Sequence, residues 1–344
     1  MDNPKKVLVI GAGGFIGGFI VAESLRRGYE TWAAVRSTTS RRFLTDERIR
    51  FIEFDYDDSS EISKQMSCML ACDERWDWIV YNLGATKVNN YGDFNRINFL
   101  YLRNVLEALK DADKVPDRFL FMSSLSALGP GDEENYTPYD ETFVPSPNTR
   151  YGMSKIKAEM LLERTPWLNW IIFRPTGVYG PHEQDYLMMV KCIDKHWDFG
   201  VGFRKQLLTF IYVEDLACAI FDALAKAPVK SKYLISEGAA YTQSDFRRIV
   251  ADALGKKWVI PVRLPLWIVK MVSVVAEKYG IARLKPTTLN PDKYKIMKQR
   301  NWDVDITKAR NDFGFNPQFP LPMGIRRTVE AYLKDKKENG KKKK

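Results

Sequence analysis

A glycine-rich turn near the start of the chain constrains its fold more than any other feature. The segment "VLVIGAGGFIGG" places Gly11, Gly14 and Gly17 between a short apolar strand and a segment with helical spacing. Gly11 allows a tight turn, Gly14 lets the backbone approach a pyrophosphate, and Gly17 lets the helix pack closely on the strand. The start of the helix offers free N–H groups to phosphates. The sequence therefore predicts a dinucleotide-binding turn, and a glycine-rich turn without a ligand is the alternative.

Strands and helices alternate through the first half of the chain. Short apolar runs such as "KVLVI", "WDWIVYNLG" and "NWIIFRPTG" are separated by segments with helical spacing. Nearly all-apolar strands in this alternation indicate a parallel sheet covered by helices on both faces. We therefore predict an α/β fold with a Rossmann-type doubly wound parallel sheet. Residues 1–180 are predicted to form the dinucleotide-binding domain, and 205–228 to return to that domain. Residues 181–204 and 229–335 are predicted to form a smaller, interleaved C-terminal substrate domain, followed by a disordered basic tail, 336–344.

The stretch "AAVRSTTSRR" follows the glycine turn by about twenty residues, where an acidic residue usually binds the ribose 2′-hydroxyl of NAD. It holds no acid, but it carries Arg36, Ser37, Arg41 and Arg42. A guanidinium attracts a 2′-phosphate, and its fork matches the phosphate oxygens. We therefore predict NADP(H) as the favoured cofactor, with Arg36, Ser37 and Arg41 as contacts, and keep NAD(H) as the alternative. In the competing interpretation Arg36 stacks on the adenine or faces solvent.

A second motif carries acid–base chemistry. In "YGMSK", Tyr151 and Lys155 are four residues apart and share one helix face. A phenol has a pKa of about 10, and a nearby ammonium favours the phenolate. Ser124 follows a strand in "FMSSLSALG", where it would hydrogen-bond a substrate oxygen. Tyr-x-x-x-Lys occurs three times in the chain, but only this pair lies in the alternating region. We predict that Ser124, Tyr151 and Lys155 are catalytic, and an exposed helix pair is the alternative.

Together these motifs resemble those of extended short-chain dehydrogenases/reductases of the NAD-dependent epimerase/dehydratase superfamily. The similarity also covers "EFDYDD", "YNLGAT", "NFLYLRNVLEAL" and "FRPTGVYGP", and extends over nearly the whole chain. It implies that Asn98 is a catalytic residue supporting a water linked to Lys155, and that Asp55 contacts the adenine amino group. The cofactor-binding residues that the motifs and the resemblance give are Gly11, Gly14, Phe15, Ile16, Gly17, Arg36, Ser37, Arg41, Asp55, Leu83, Ala85, Tyr151, Lys155, Pro175 and Val178.

The resemblance implies a hydride transfer between the nicotinamide and a carbonyl or hydroxyl carbon. Arg36 is typical of NADP-linked reductase branches resembling hydroxysteroid dehydrogenases. Many members that act on sugar nucleotides carry Arg-Asp before the "FIYVEDL" strand, where this chain has Leu208 and Thr209. A leucine cannot bind phosphate, although Arg204 and Lys205 lie close enough in the chain to substitute. The resemblance also implies a homodimer through the helices that carry Asn98 and Tyr151.

Charge and cysteine usage restrict the function classes. The net charge is +10, four charges of which come from the terminal "KKKK". The remaining excess could attract phosphate-bearing ligands or an anionic membrane surface. Basic clusters with interleaved aromatic residues are lacking, so we predict no nucleic-acid partner. The four cysteines form no CxxC pair, and we predict free thiols, no metal site and a cytoplasmic protein without a signal peptide or membrane span.

The apolar segment 258–284 bears on the substrate. We interpret it as a helix in the core of the smaller domain, and the alternatives are a wall of a lipid-binding pocket or a peripheral membrane contact. The favoured function is hydride transfer between NADP(H) and an apolar or amphipathic small molecule, such as a keto-lipid or a sterol-like ketone. The alternatives are a nucleotide-sugar 4-epimerase or dehydratase with retained NAD, and a catalytically silent nucleotide-sensing scaffold.

Overall fold

The computed structural model describes residues 4–88, 90–282 and 289–341. A π-helical turn at Arg96–Leu100 joins two of the helices, and a 3₁₀ turn at Leu125–Ala127 follows one of the strands. In chain order the elements are β1 (Lys6–Ile10), α1 (Phe15–Arg26), β2 (Glu30–Val35), β3 (Arg50–Glu53), α2 (Ser59–Met69), β4 (Trp78–Tyr81), α3 (Gly92–Asn95), α4 (Tyr101–Asp111), β5 (Arg118–Met122), α5 (Arg150–Glu163), β6 (Trp170–Pro175), β7 (Gly177–Tyr179), α6 (Asp185–Asp194), β8 (Trp197–Val201), β9 (Leu208–Tyr212), α7 (Val213–Lys226), β10 (Ser231–Ile235), β11 (Ala240–Tyr241), α8 (Gln243–Ala253), β12 (Ile260–Leu264), α9 (Leu266–Ala282), α10 (Pro291–Lys298), α11 (Thr307–Phe313) and α12 (Leu321–Lys341).

Seven parallel strands form the central sheet, in the order β10-β6-β5-β4-β1-β2-β3. Side chains alternate across each strand, so that Val7 and Val9 of β1 enter one core layer while Leu8 and Ile10 enter the other. Helices α1 and α7 cover the first face, and α2, α4 and α5 cover the second. The predicted doubly wound parallel sheet is confirmed.

The strand order reverses between β1 and β4, and ligands of such sheets bind beyond the carboxyl ends of the strands at this point. The glycine turn follows β1 and lies directly against the segment that follows β4. Gly11 has a φ of +84°, and a Cβ added to it would lie 2.7 Å from the backbone nitrogen of Leu83. Only glycine tolerates both the dihedral angle and this approach. The turn and the β4 end therefore form one crevice.

The C-terminal part differs from the predicted division in two places. The segment 205–228 contains β9, which pairs with β7 and β11 in a three-stranded sheet, and α7, which packs on α1. Strand β10, within the range given to the smaller domain, is the edge strand of the seven-stranded sheet beside β6. Helix α12 continues to Lys341, so 336–341 are helical rather than disordered, while 342–344 lie outside the described residues. The division into two domains stays a prediction with these elements reassigned.

Residues 258–282, the described part of the segment 258–284, do not form a buried core helix, and 283–284 lie outside the described residues. The described part contains β12, which pairs with β8 in a separate two-stranded sheet, and α9. Trp258, Trp267 and Met271 are each more than half exposed. The core interpretation is therefore wrong for these side chains, because α9 buries Val269 and Ser273 and leaves Trp267 and Met271 largely exposed. Within the described part of the chain, no helix is both long and apolar enough to cross a membrane.

Candidate active site

The start of α1 forms the first part of the site. Its N-cap is Gly14, which has no side chain to accept from the first helical N–H groups, and the first turn carries no acid. These donors, together with the helix dipole, attract an anion. Phe15 and Ile16 begin the helix, and Gly17 packs against the turn: a Cβ added there would lie 2.2 Å from the Gly11 carbonyl oxygen. The turn thus fits the pyrophosphate of a dinucleotide, as the sequence predicts.

Asn98 fixes the backbone that follows β4. It lies in the π-helical turn between α3 and α4 and is fully buried. Its side-chain oxygen accepts from the Ala85 N–H at 2.7 Å, and its amide donates to the Ala85 carbonyl at 3.1 Å and to Ser154 Oγ at 2.9 Å. Such π turns are frequent at functional sites. Asn98 therefore positions Ala85, one of the residues expected beside the cofactor.

The N-terminus of α5 is held close to the loop that follows β5. Thr149 caps the helix, with its hydroxyl accepting from the Gly152 N–H at 3.0 Å. A Cβ added to Gly152 would lie 2.2 Å from the Ser126 carbonyl oxygen, so this approach requires glycine. The close packing brings Tyr151 beside Ser124. Gly152 is a site-building residue that the sequence reasoning missed, although it stands inside the quoted motif.

The Tyr151 hydroxyl lies close to the Ser124 side chain. Burial raises the pKa of the Tyr151 phenol, and the nearby Ser124 hydroxyl lowers it in part. The ring of Phe94 lies 6.1 Å from the Tyr151 ring and contributes to these apolar surroundings. Lys155 is not among the groups that shift this pKa in the structure, so the lowering of the Tyr151 pKa by Lys155 stays a prediction.

Lys155 is buried one helical turn after Tyr151. Its ammonium donates to the Met122 carbonyl at 2.8 Å and lies 5.0 Å from the centre of the Phe121 ring. Burial lowers the Lys155 pKa to about 8, and the charge of Glu159 opposes this shift. The amine nitrogen also lies beside Gly84, next to the crevice. It is therefore placed to contact a group bound in the crevice.

A buried ion pair behind Lys155 was missed by sequence reasoning. Glu159 and Arg174 are almost completely buried, and the guanidinium donates to both carboxylate oxygens, at 2.6 and 3.1 Å. Ser123 Oγ donates to the same carboxylate at 2.5 Å. The available signal was the spacing, because Tyr151, Lys155 and Glu159 follow each other at four-residue intervals on one helix face.

Replacing Glu159 with glutamine should destabilise the protein by about 3–5 kcal/mol, because Arg174 keeps its buried charge and loses its partner. The same change removes a negative charge that raises the Lys155 pKa, so that pKa should fall below about 8. Activity that needs the ammonium form of Lys155 would then be lost at a lower pH than in the wild type. Urea unfolding at pH 7 and the pH profile of kcat/KM check the two effects.

Glu163→Gln is the matched control. Glu163 lies one turn further along α5 and pairs with Lys232 at the surface. Such exposed pairs contribute less than about 1 kcal/mol, and this carboxylate is not among the groups that shift the Lys155 pKa. An equal loss of stability in both variants would contradict the role assigned to Glu159. So would a Glu159→Gln variant whose kcat/KM falls at the same alkaline pH as that of the wild type.

The expected adenosine contacts lie at the ends of β2 and β3. Arg36 directly follows β2 and is exposed, and its charge lowers the pKa of the Tyr56 phenol, which burial raises. Arg41 is held by Glu53, with a guanidinium–carboxylate distance of 2.8 Å, and its guanidinium carbon lies 4.4 Å from the Phe51 ring centre. A phosphate contact from Arg41 would compete with this ion pair, so Arg36 is the freer of the two guanidinium groups.

The remaining expected cofactor residues surround the same edge. Ser37 is exposed next to Arg36, and Asp55 is exposed after β3, with its carboxylate accepting from the Asp57 N–H at 3.1 Å. Pro175 ends β6, and Val178 lies in β7 directly after it. The structure therefore places every expected residue near the carboxyl ends of the sheet strands. Their roles in binding stay predictions.

The loop after β2 lies against the glycine turn, which the sequence did not predict. The Thr39 side chain lies over Gly13 of the glycine turn, since a Cβ added to Gly13 would approach its methyl carbon to 2.2 Å. Further along the loop, the Phe43 ring packs against the His182 ring, with ring centres 4.4 Å apart and the planes tilted by 32°. The crevice is thus bordered by the loop after β2 on one side and by the segment after β7 on the other.

The chain is similar to known proteins over most of its length. Residues 7–236 match the model of the NAD dependent epimerase/dehydratase family. Similar proteins include a UDP-glucose 4-epimerase from Vibrio cholerae, 25% identical with 96% of each chain covered. A sterol-4-alpha-carboxylate 3-dehydrogenase (decarboxylating) from Dictyostelium discoideum is 23% identical and covers 93% of this chain and 99% of its own. The structure of Thermus thermophilus UDP-glucose 4-epimerase in complex with NAD has a TM-score of 0.74 and 21% identity, over 95% of this chain and 99% of that one. The matched region exceeds half of the chain and contains the glycine turn and the tyrosine–lysine helix, so this protein belongs to the NAD-dependent epimerase/dehydratase family of enzymes.

Proposed function

We propose that the protein is an NADP(H)-dependent oxidoreductase that interconverts a carbonyl and a hydroxyl group on a small molecule. The observation that carries the proposal is that Ser124, Tyr151 and the buried Lys155 lie together next to the crevice that the glycine turn forms. When bound, the nicotinamide supplies or accepts the hydride. Tyr151 donates or removes the matching proton, Ser124 orients the substrate oxygen, and Lys155 favours the phenolate. These intact groups also argue against a catalytically silent scaffold.

The proposed substrate is apolar or amphipathic, such as a keto-lipid or a sterol-like ketone. Leu208 begins β9 and packs with Tyr186 and Met189 against the core of the C-terminal part. This apolar side chain stands where a diphosphate-binding arginine would be expected for a sugar nucleotide. The similarity to the Dictyostelium sterol dehydrogenase supports the same substrate class.

A basic pocket favours the second candidate, a nucleotide-sugar 4-epimerase or dehydratase with retained NAD. The pocket has a volume of about 240 Å³, and Arg204, Lys205 and Arg263 line it together with Thr242 and Ser244. Guanidinium and hydroxyl donors suit a diphosphate. The similarity to the Vibrio UDP-glucose 4-epimerase supports this candidate too. The two candidates differ in whether the cofactor leaves the protein after each turnover.

The nucleotide content of the purified protein distinguishes them. We expect denatured protein to release less than one equivalent of nucleotide, and fresh protein to bind NADPH more tightly than NADH. NADPH oxidation should then follow the addition of lipid ketones. Stoichiometric release of NAD, with conversion of a UDP- or dTDP-sugar and no net NADPH oxidation, would overturn the proposal in favour of the epimerase. The same assay on Tyr151→Phe controls for oxidation that does not use the site.

The homodimer through α4 and α5 stays a prediction. The exposed side chains of Met153 and Met160, seven residues apart on one face of α5, support it.

A further inference from the structure

One side of the C-terminal part exposes an apolar sheet face. β8 and β12 pair in parallel, with Trp197 opposite Ile260 and Phe199 opposite Val262. Alternate residues of a strand share one face, so these four side chains point to the same side. Trp197, Phe199 and Ile260 are 44%, 51% and 43% exposed. Such a face on a two-stranded sheet needs a partner to be shielded from water.

Helix α9 extends this surface directly after β12. Leu266, its first residue, lies beside Gly202 at the end of β8, which joins the helix to the sheet. Trp267, Met271 and Val275 recur at intervals of four and are 63%, 60% and 67% exposed. A helix on a globular surface normally turns its polar side outward, whereas α9 turns apolar side chains outward.

We call the combined surface the outer apolar face, and define it by Trp197, Phe199, Ile260, Trp267, Met271 and Val275. Large exposed apolar patches mark sites of interaction with proteins or membranes. The side chains around it decide which of these two partners it fits.

The surroundings of the outer apolar face are basic. Residues 256–279 contain five lysines or arginines and one acid, Glu277, which is only partly exposed. Lys257, Lys270 and Lys278 are exposed, and the exposed Arg204 and Lys205 follow Phe203 at the end of β8. Lysines among outward apolar and tryptophan side chains are typical of helices that lie in the interface of an anionic bilayer.

We propose that the outer apolar face binds the surface of an anionic lipid membrane, with α9 lying in the interface. A second copy of the chain fits less well. A two-fold contact would place the same patch against itself, so that Lys270 and Lys278 would approach their own equivalents. Anionic headgroups neutralise these charges, while the acyl region takes up the tryptophan, methionine and valine side chains.

The proposed contact lies next to the candidate active site. Helix α9 packs on α10. Asp292 of α10 accepts a hydrogen bond of 2.8 Å from the backbone N–H of Arg150, the residue before Tyr151. The membrane contact would thus be linked through α9 and α10 to the start of α5, which carries Tyr151, and an amphipathic substrate could pass from the lipid to this site. This last step rests on the proposed function, whereas membrane binding itself does not.

Co-sedimentation of the full chain with vesicles tests the proposal. We expect binding to vesicles of phosphatidylcholine with phosphatidylserine and much weaker binding to phosphatidylcholine alone. The double variant Trp267→Ser, Met271→Ser should bind roughly ten-fold more weakly. Lys270→Glu and Lys278→Glu should each weaken binding by at least about five-fold. The controls are Trp167→Ser, an exposed tryptophan before β6 at the opposite end of the strands, and Lys110→Glu on α4.

Amide hydrogen exchange of the wild-type protein keeps the test independent of variant folding. Protection of residues 258–279 on adding anionic vesicles supports the proposal. Wild-type protein that stays in the supernatant with both vesicle types overturns it, as does a dimer that the α9 double variant dissociates. Turnover of a short water-soluble ketone should be the same in the double variant and the wild type. If neither protein turns over this ketone, the proposed function is contradicted, whereas the conclusion from the vesicle experiment is unaffected.

Discussion

Replacing Tyr151 with phenylalanine should lower kcat for NADPH-dependent ketone reduction by about 10²- to 10⁴-fold, the usual contribution of a positioned acid–base group. The substitution removes one oxygen atom and keeps the ring that faces Phe94. Because the ring stays in place, the fold and the glycine turn should be unaffected. The dissociation constant for NADPH should therefore change by less than about three-fold. Steady-state kinetics and fluorescence titration of the two proteins measure these quantities.

Tyr332→Phe is the matched control, because Tyr332 belongs to another Tyr-x-x-x-Lys pair. Its hydroxyl donates to Asp194 at 2.9 Å, and Lys336 pairs with the same carboxylate at 2.5 Å, so this pair joins α12 to α6. Loss of the Tyr332 hydroxyl should leave kcat unchanged. Retention of most activity in Tyr151→Phe would show that another group handles the proton. A comparable loss in both variants would show that stability, not acid–base chemistry, limits the assay.

The sequence predicts the sheet and the glycine turn because local patterns determine both. Apolar runs such as Val7–Ile10 are buried on both faces, which leaves little choice except a parallel strand between helix layers. Glycines at fixed intervals between a strand and a helix leave one backbone geometry for the turn. These features need no knowledge of distant residues, and the structure shows them where the sequence placed them.

The errors arise where distant parts of the chain compete for the same strand edge. β9 and β10 are both five-residue strands separated by α7, yet only β10 reaches the open edge of β6. Strand propensity does not specify the partner, because pairing depends on which edge the connecting helix leaves accessible. The ion pair of Glu159 and Arg174 was missed for a similar reason, since its two members lie on different elements.

The outward apolar residues of α9 show a further limit. A run of valine, methionine and tryptophan predicts burial, but the pattern does not identify the environment that covers them. The sequence pattern around Trp267 and Met271 is compatible with a protein core, a subunit contact or a lipid surface. The structure decides against the core, because Val269 and Ser273 already fill the inner side of the helix.

Arg36→Asp should weaken NADPH binding by roughly 10- to 100-fold and change the NADH dissociation constant by less than about three-fold. We propose that the Arg36 guanidinium donates to the 2′-phosphate, which NADH lacks. Its position after β2 supports this, and so does the engagement of Arg41 with Glu53. An aspartate at position 36 removes the donors and repels the phosphate, but it can accept from a ribose hydroxyl. Parallel fluorescence titrations with both cofactors measure the ratio.

Arg48→Asp makes the same change of charge within the same part of the chain. Arg48 is exposed and forms a two-point hydrogen-bonded pair with Asp46, so it belongs to a separate local contact. If long-range charge alone attracted NADPH, both variants would lose affinity to a similar extent, and the loss would shrink at high salt. If only Arg36→Asp weakens NADPH binding more than NADH binding, the Arg36 guanidinium contacts the phosphate directly. Equal weakening of NADPH and NADH by Arg36→Asp would mean that the guanidinium stacks on the adenine, and cofactor preference would then have to be sought in Ser37 or Arg41.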